Sequence, residues 1–358
     1  MKKITTIIIL YTILFSVFPK ENFSLYMNNG KYGAIDKHKK IVLEAIYDEI
    51  KFNEVYLCKK NGNEYSIYDS NMSLKHKFPE ENKNVLMCSP YIFFYKSGEK
   101  VNEKSYLYNI QNNKTIIARE NFIENNKIDE PWIASQYGFY SKDMIPQKVK
   151  YNRVYPFREN RAVVLNQERE CEIVDEKFNI IASKILAAAD YYSEGLIPVV
   201  MMEEGSNFKN PKSGESYYLD LNGNIVYKCD FDFNYIWRDT NKHIQVPEVI
   251  GSFYEGMAVV QKKDKSWILL DKKFNKFYLP EDCTVEQNRY SNGLLLISKV
   301  INNEKKYGFI DKKSNIVVSF DYTYAEGFDG SYAIVIKDGI NGVIDNKGRF
   351  TSVSDFKR

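Results

Sequence analysis

Short apolar runs of four to six residues, each closed by a polar turn, recur along this chain. The fullest stretch opens with Tyr290-Ser291-Asn292-Gly293 and passes into Leu294-Leu295-Leu296-Ile297. A polar turn from Asn302 to Lys306 leads to Tyr307-Gly308-Phe309-Ile310-Asp311. The turn Lys312-Lys313-Ser314-Asn315 then leads to Ile316-Val317-Val318-Ser319-Phe320, and Asp321-Tyr322 closes the stretch. Apolar runs this short, bounded by Gly, Asn, Asp, Ser and Lys, predict antiparallel strands joined by tight turns.

The same order returns elsewhere. The opening strand recurs as Phe253-Tyr254-Glu255-Gly256-Met257-Ala258-Val259-Val260 and as Tyr192-Ser193-Glu194-Gly195-Leu196. A weaker copy is Phe157-Arg158-Glu159-Asn160-Arg161. The middle strand recurs as Tyr32-Gly33-Ala34-Ile35-Asp36 and Asn341-Gly342-Val343-Ile344-Asp345. The Asp that ends it can bond backbone N–H groups two residues on, while a following Gly or Asn takes a left-handed conformation. Marking each copy by this Asp or Asn gives Asp36, Asp69, Asn109, Asp175, Asp220, Asp271, Asp311 and Asp345. The intervals are 33, 40, 66, 45, 51, 40 and 34 residues, and the longest hides a degenerate unit or carries an insertion.

A unit recurring at this spacing marks a repeat architecture, in which each copy buries its apolar face on its neighbours. Tyr (28 copies) and Phe (22 copies) are abundant, and both suit pleated, half-buried surfaces. The expected fold is all-β, an array of seven to eight units over residues 19–358. It is either a β-propeller of about seven blades or an open β-solenoid. The propeller is favoured, because about 40 residues per unit match a four-stranded blade and closure leaves no long exposed edge.

These residues resemble the WG-repeat family of bacterial proteins. Its unit runs from an aromatic and Glu-Gly, through Trp-Gly-Phe-Ile-Asp, to a closing Tyr-Asp. Phe253 to Val260 matches the opening strand, and Tyr307 to Asp311 and Tyr32 to Asp36 match the middle with Tyr in place of Trp. Ile41-Val42-Leu43 with Tyr47-Asp48, and Ile316-Val317-Val318 with Asp321-Tyr322, match the end. No copy keeps Trp-Gly. The resemblance implies an all-β array, often exported, and carries over no catalytic residue, since the motif is structural.

Lys2 and Lys3 precede an uncharged, mostly apolar run from Ile4 to Phe18. That run has the length of a signal-peptide core and falls short of the ~20 residues that span a bilayer. Residues 1–18 are therefore expected to be a signal peptide, with an uncleaved anchor as the alternative. The rest is expected to be periplasmic, cell-surface or secreted, without a stable membrane span. With 50 Lys+Arg against 47 Asp+Glu, interleaved, nothing suggests a nucleic-acid footprint. Cys58, Cys88, Cys171, Cys229 and Cys283 are odd in number and widely spaced, which fits small buried strand residues with at most one bridge.

Candidate chemistry is sparse. His38, His76 and His243 stand far apart, and no CxxC pair occurs, so neither a metal nor another cofactor is expected. Asp220-Leu221-Asn222-Gly223-Asn224 resembles a calcium loop only briefly, because Phe231 stands where a bidentate Glu is needed. Glu194, Glu255 and Glu326 precede Gly, and their recurrence at repeat spacing argues for structure over catalysis. No enzyme activity is expected. The remaining candidates sit where the repeat is interrupted. Residues 119–150 carry Trp132, Tyr137 and Tyr140, and residues 229–250 carry Tyr235, Trp237 and Arg238. Insertions in repeat proteins map to loops on a binding face, and aromatics with Arg are hot-spot residues. The expected function is a non-catalytic module that binds a protein or an envelope or host surface component. A structural scaffold of the envelope, without a small ligand, is the alternative.

Overall fold

The computed structural model describes residues 23–357 apart from 54, 61–63, 70, 80–83, 89, 96–104, 119–121, 123–131, 136–137, 149–150, 169, 207–212 and 240–244. Among these, every regular element is a strand except the short 3-10 turn Val353–Asp355. Unit 1 has the strands Phe23–Asn28, Lys31–Asp36 and Ile41–Tyr47. Unit 2 runs in chain order from Glu49–Asn53 to Leu74–Pro79, and unit 3 from Asn84–Cys88 to Thr115–Ile117, each as a four-stranded antiparallel sheet. Units 7, 8 and 9 are also four-stranded, from Phe253–Tyr254 to Lys276–Phe277, from Cys283–Val285 to Ile316–Tyr322, and from Tyr324–Ala325 to Phe350–Ser352.

Units 5 and 6 share a strand. Ile180–Ala188 pairs through Ile180 and Ala182 with Cys171–Asp175, and through Ala187 and Ala188 with Leu196–Met202. Lys184, at φ 58°, turns the chain between the two sheets. Unit 4 is the degenerate copy inside the 66-residue interval. Among the described residues its paired strands are Ile133–Ala134 and Phe139–Tyr140, flanked by the single bridges Phe122↔Ser135 and Tyr140↔Pro146. The described residues thus form nine units.

One turn, headed by Asp, recurs in seven of the nine. Asp271 Oδ1 accepts the N–H groups of Lys273 and Asn275, at 2.8 and 2.9 Å, while Phe274 sits at φ 61°. The same pair of bonds forms at Asp36, Asp69, Asp175, Asp220, Asp311 and Asp345. In unit 4 the position is Ser141, whose Oγ accepts from Ile145 N at 3.2 Å and whose C=O accepts from Met144 N.

Within the sheet of unit 6, the first strand is buried and the last is exposed. Ile185 to Ala189 are at most 4% accessible, whereas Ile225 and Val226 in the last strand of the same unit are 57% and 45% accessible. The first strand therefore lies innermost. Apolar clusters join each unit to the next, as Leu57 and Ile67 of unit 2 meet Val85 and Ile92 of unit 3. They also join the ends. Tyr26 and Ile35 of unit 1 share a cluster with Tyr332 and Val343 of unit 9 and with Phe356. Tyr332 Oη donates to Lys37 O at 2.9 Å, and Ser331 N donates to Ser24 Oγ at 2.9 Å. The backbone at Lys357 bonds Lys39 and Ile41. These contacts close the array into a ring, the geometry of a β-propeller and not of an open solenoid.

Candidate binding surfaces

Among the described residues, the shortened strands of unit 4 leave the flank of unit 3 incompletely covered. A crevice of about 270 Å³ opens there, lined by Leu107, Ile116, Ile117, Phe122, Tyr140, Met144 and Pro146. Ile117 and, beside the lining, Ile145 are each 64% exposed. Phe122 and Tyr140 meet with ring centroids 5.4 Å apart, and Tyr91 Oη donates to Lys142 O at 3.0 Å, fixing unit 4 on unit 3. The side chains lining the crevice are apolar apart from the Tyr140 hydroxyl, so it can take an apolar side chain.

Of the residues the sequence singles out, Tyr140 lines this crevice. Trp132 is half-buried on the other side of unit 4, its ring 5.1 Å from that of Phe178 and its Nε1 donating to Glu176 O at 3.1 Å. It acts as a strut between units 4 and 5. Tyr137 lies outside the described residues. Tyr235, Trp237 and Arg238 lie in the strand Tyr235–Asp239, which pairs with Gln245–Val249 as a hairpin between the last strand of unit 6 and the first of unit 7. Its second strand meets Ala188, on the innermost strand of unit 6, through Glu248. The two groups of candidates therefore stand on different units.

The recurring Glu residues clasp neighbouring units. The Glu159 carboxylate accepts from Gly195 N at 2.8 Å, Glu194 from Gly256 N at 3.0 Å, and Glu255 from Asn292 N and Gly293 N at 2.7 Å each. In return, Lys272 Nζ donates to Glu194 O and Lys312 Nζ to Glu255 O, both at 2.5 Å. Glu326 differs. It is half-buried at the ring closure, where Oε1 accepts from Tyr32 Oη at 2.7 Å and from Tyr324 Oη at 2.6 Å. Burial raises its carboxyl above the ordinary Glu range, against the lowering effect of the two Tyr bonds, and Asp329 adds to the rise.

All five cysteines are free thiols, four of them buried. Burial pushes the Cys58, Cys171 and Cys229 thiols up to about 12, which keeps them protonated and unreactive at neutral pH. His76 packs on Phe78 and Tyr108, with ring centroids 4.2 and 5.0 Å away.

Comparison with known proteins agrees with this architecture. The fold is similar to that of a eukaryotic initiation factor at 12% identity and a TM-score of 0.57, covering 92% of this chain and 94% of that one. A looser likeness is to BamB from Moraxella catarrhalis, at 8% identity and a TM-score of 0.38, covering 85% and 86%. No curated protein matches by sequence. The family model of the WG containing repeat matches residues 32–62, 248–265 and 307–339, which fall on units 1–2, 7 and 8–9. In these segments the chain carries WG containing repeats, set in a β-propeller-like ring.

Proposed function

We propose that this protein is an exported, non-catalytic module that binds a protein through the open flank of units 3 and 4. The observation that carries the reading is the apolar crevice there, with Ile117 and Ile145 exposed beside it. Ile116, Ile117 and Ile145 are solvated beside the core cluster that buries Leu107 and Phe122, and such an exposed apolar patch is the kind of surface a partner covers. Export rests on the charged and apolar start of the chain. Among the described residues no helix is long and apolar enough to cross a membrane. The scaffold reading draws its support from Trp132, which is tied to unit 5 instead of standing clear of it.

The test is affinity capture from envelope extract, with the intact chain beside Ile117→Asp. The expected result is one specific protein held by the wild type and lost from the variant, with unchanged thermal unfolding. Equal capture by both would refute the crevice as the binding face. Capture of nothing by either would leave the scaffold reading standing.

A further inference from the structure

The seam between units 9 and 1 lacks the clasp that joins units 5 to 8. In those units the opening turn places a Glu at positive φ, and its carboxylate accepts from the next unit, as Glu194 does from Gly256 N. The bridge Asp329↔Tyr332 marks the same turn in unit 9, as Ser193↔Leu196 does in unit 6, and Gly330 stands in the place of Glu194 at φ 68°. The clasp also occupies a lysine of the next unit. Lys272 Nζ lies 3.9 Å from the Glu194 carboxylate, and Lys312 Nζ 3.9 Å from that of Glu255. Lys37 follows the turn Asp of unit 1 as Lys272 and Lys312 follow theirs, but Gly330 offers it no carboxylate.

Ring closure gathers further lysines at this place. Lys39 and Lys40 lie in the same turn as Lys37, and Lys40 forms a parallel bridge with Lys357. Lys357 N donates to Lys39 O at 3.0 Å, and Ile41 N donates to Lys357 O at 2.8 Å. Lys39 Nζ lies 5.4 Å from the centroid of the Tyr332 ring. Burial raises the Tyr332 hydroxyl above the ordinary Tyr range, Asp345 and Asp36 add to the rise and Arg349 opposes it, so the turns of units 1 and 9 flank one ring. In the unit 9 turn Arg349 pairs with Asp345 at 2.6 Å, and Lys347 is exposed. Lys37, Lys40 and Lys357 are exposed as well, and Lys39 is half-buried. None of these five lysines has an ion-pair partner among the described residues. The other acids of these segments are Asp36, whose Oδ1 accepts from His38 N and Lys40 N, and Asp355. Five lysines against two aspartates leave a net charge of +3.

An ammonium is a point charge on a flexible stem, so a group of them suits a surface of mobile phosphates better than one shaped ligand. A long polyanion such as nucleic acid would run past the cluster onto a chain whose 50 basic and 47 acidic residues nearly cancel. We propose that the seam of units 1 and 9 rests on an anionic phospholipid surface through Lys37, Lys39, Lys40, Lys347 and Lys357. This surface stands on other units than the crevice and goes beyond the protein-binding reading.

The test is cosedimentation of the intact chain with vesicles of phosphatidylcholine, alone or with about 30% phosphatidylserine, at about 30 mM and about 300 mM salt. Binding to the neutral vesicles sets the baseline, including any contribution of the apolar run Ile4 to Phe18. The quantity read is the binding that phosphatidylserine adds. It should be present at low salt and lost at high salt. A lysine at such a surface contributes about fivefold, so Lys37→Gln with Lys40→Gln should lower the added affinity at least about tenfold. Lys37→Arg with Lys40→Arg should keep it, because the charge remains. Lys273→Gln with Lys313→Gln removes equal charge from exposed lysines of units 7 and 8, and should stay within about twofold of the wild type. No added binding would overturn the proposal, as would equal losses from the two Gln pairs, which would assign the effect to net charge. Stronger salt-sensitive binding to a DNA duplex than to the vesicles would overturn it in favour of a nucleic-acid partner.

Discussion

At the scale of the residue, the Gly of the middle strand is a packing requirement. A Cβ on Gly308 would stand 2.7 Å from Val318 O and 3.1 Å from the Phe320 ring, and one on Gly342 would stand 2.5 Å from Thr351 O. At Gly308 the crowding accompanies a register shift between Tyr307 and Phe309, whereas Gly342 pairs regularly and is crowded by Thr351 O and the Phe350 ring. Unit 2 has Ser66 at this position. Gly308→Ala should therefore destabilise the fold by about 1–3 kcal/mol, the range for overpacking, as read by urea unfolding. Equal stability would mean that the bulge relaxes freely. The turn Asp was legible in the sequence because it acts within four residues of itself, and the two Gly positions because they recur at fixed places in the unit. Ser141 was not, since a hydroxyl replaces the marking carboxylate while the backbone turn persists.

At the scale of the element, the unit junctions are held by charge-assisted bonds at turns that take positive φ, as Asn292 and Gly293 do at 55° and 79°. Glu255→Gln would replace a carboxylate accepting two N–H groups by an amide with one acceptor oxygen. Charge-assisted bonds contribute about 1.5–3 kcal/mol when buried, and the partial exposure of this side chain lowers that to about 1 kcal/mol. The expected outcome is faster amide exchange at Asn292 and Gly293, by about fivefold, with little change in unit 3. Uniform acceleration throughout the ring would show that the clasp is not local. The recurrence of Glu before Gly was visible in the sequence. Its partner was not, because the bond joins residues 36 to 62 positions apart.

At the scale of the whole molecule, closure joins segments separated by about 300 residues, and no local pattern announces it. Phe356 is 7% accessible and meets Tyr26 edge-on, with centroids 5.3 Å apart. Phe356→Ala should cost about 3–5 kcal/mol if the ring stays shut, seen as a lower unfolding midpoint in one cooperative transition. A second, separate transition would show that unit 1 or unit 9 peels away. Closure also carries a pH dependence. The Glu326 carboxyl titrates higher in the folded ring than in the unfolded chain, so the fold favours its protonated form. The stability this brings is complete below the ordinary Glu value of about 4.3 and is lost as pH rises through the raised folded value. Glu326→Gln keeps a carbonyl oxygen for Tyr32 and Tyr324 and should flatten the pH dependence of the unfolding midpoint above the ordinary Glu value of about 4.3. An unchanged slope in the variant would assign the dependence to other groups. The ring contact made by Phe356 and Lys357 also has a meaning for biosynthesis. The flank of unit 1, although translated early, must wait for the residues from Tyr324 onward before anything can cover it. Each nascent chain therefore passes most of its synthesis with that flank open, and interruption of translation before this point leaves a product that chaperones and proteases can recognise as unfinished.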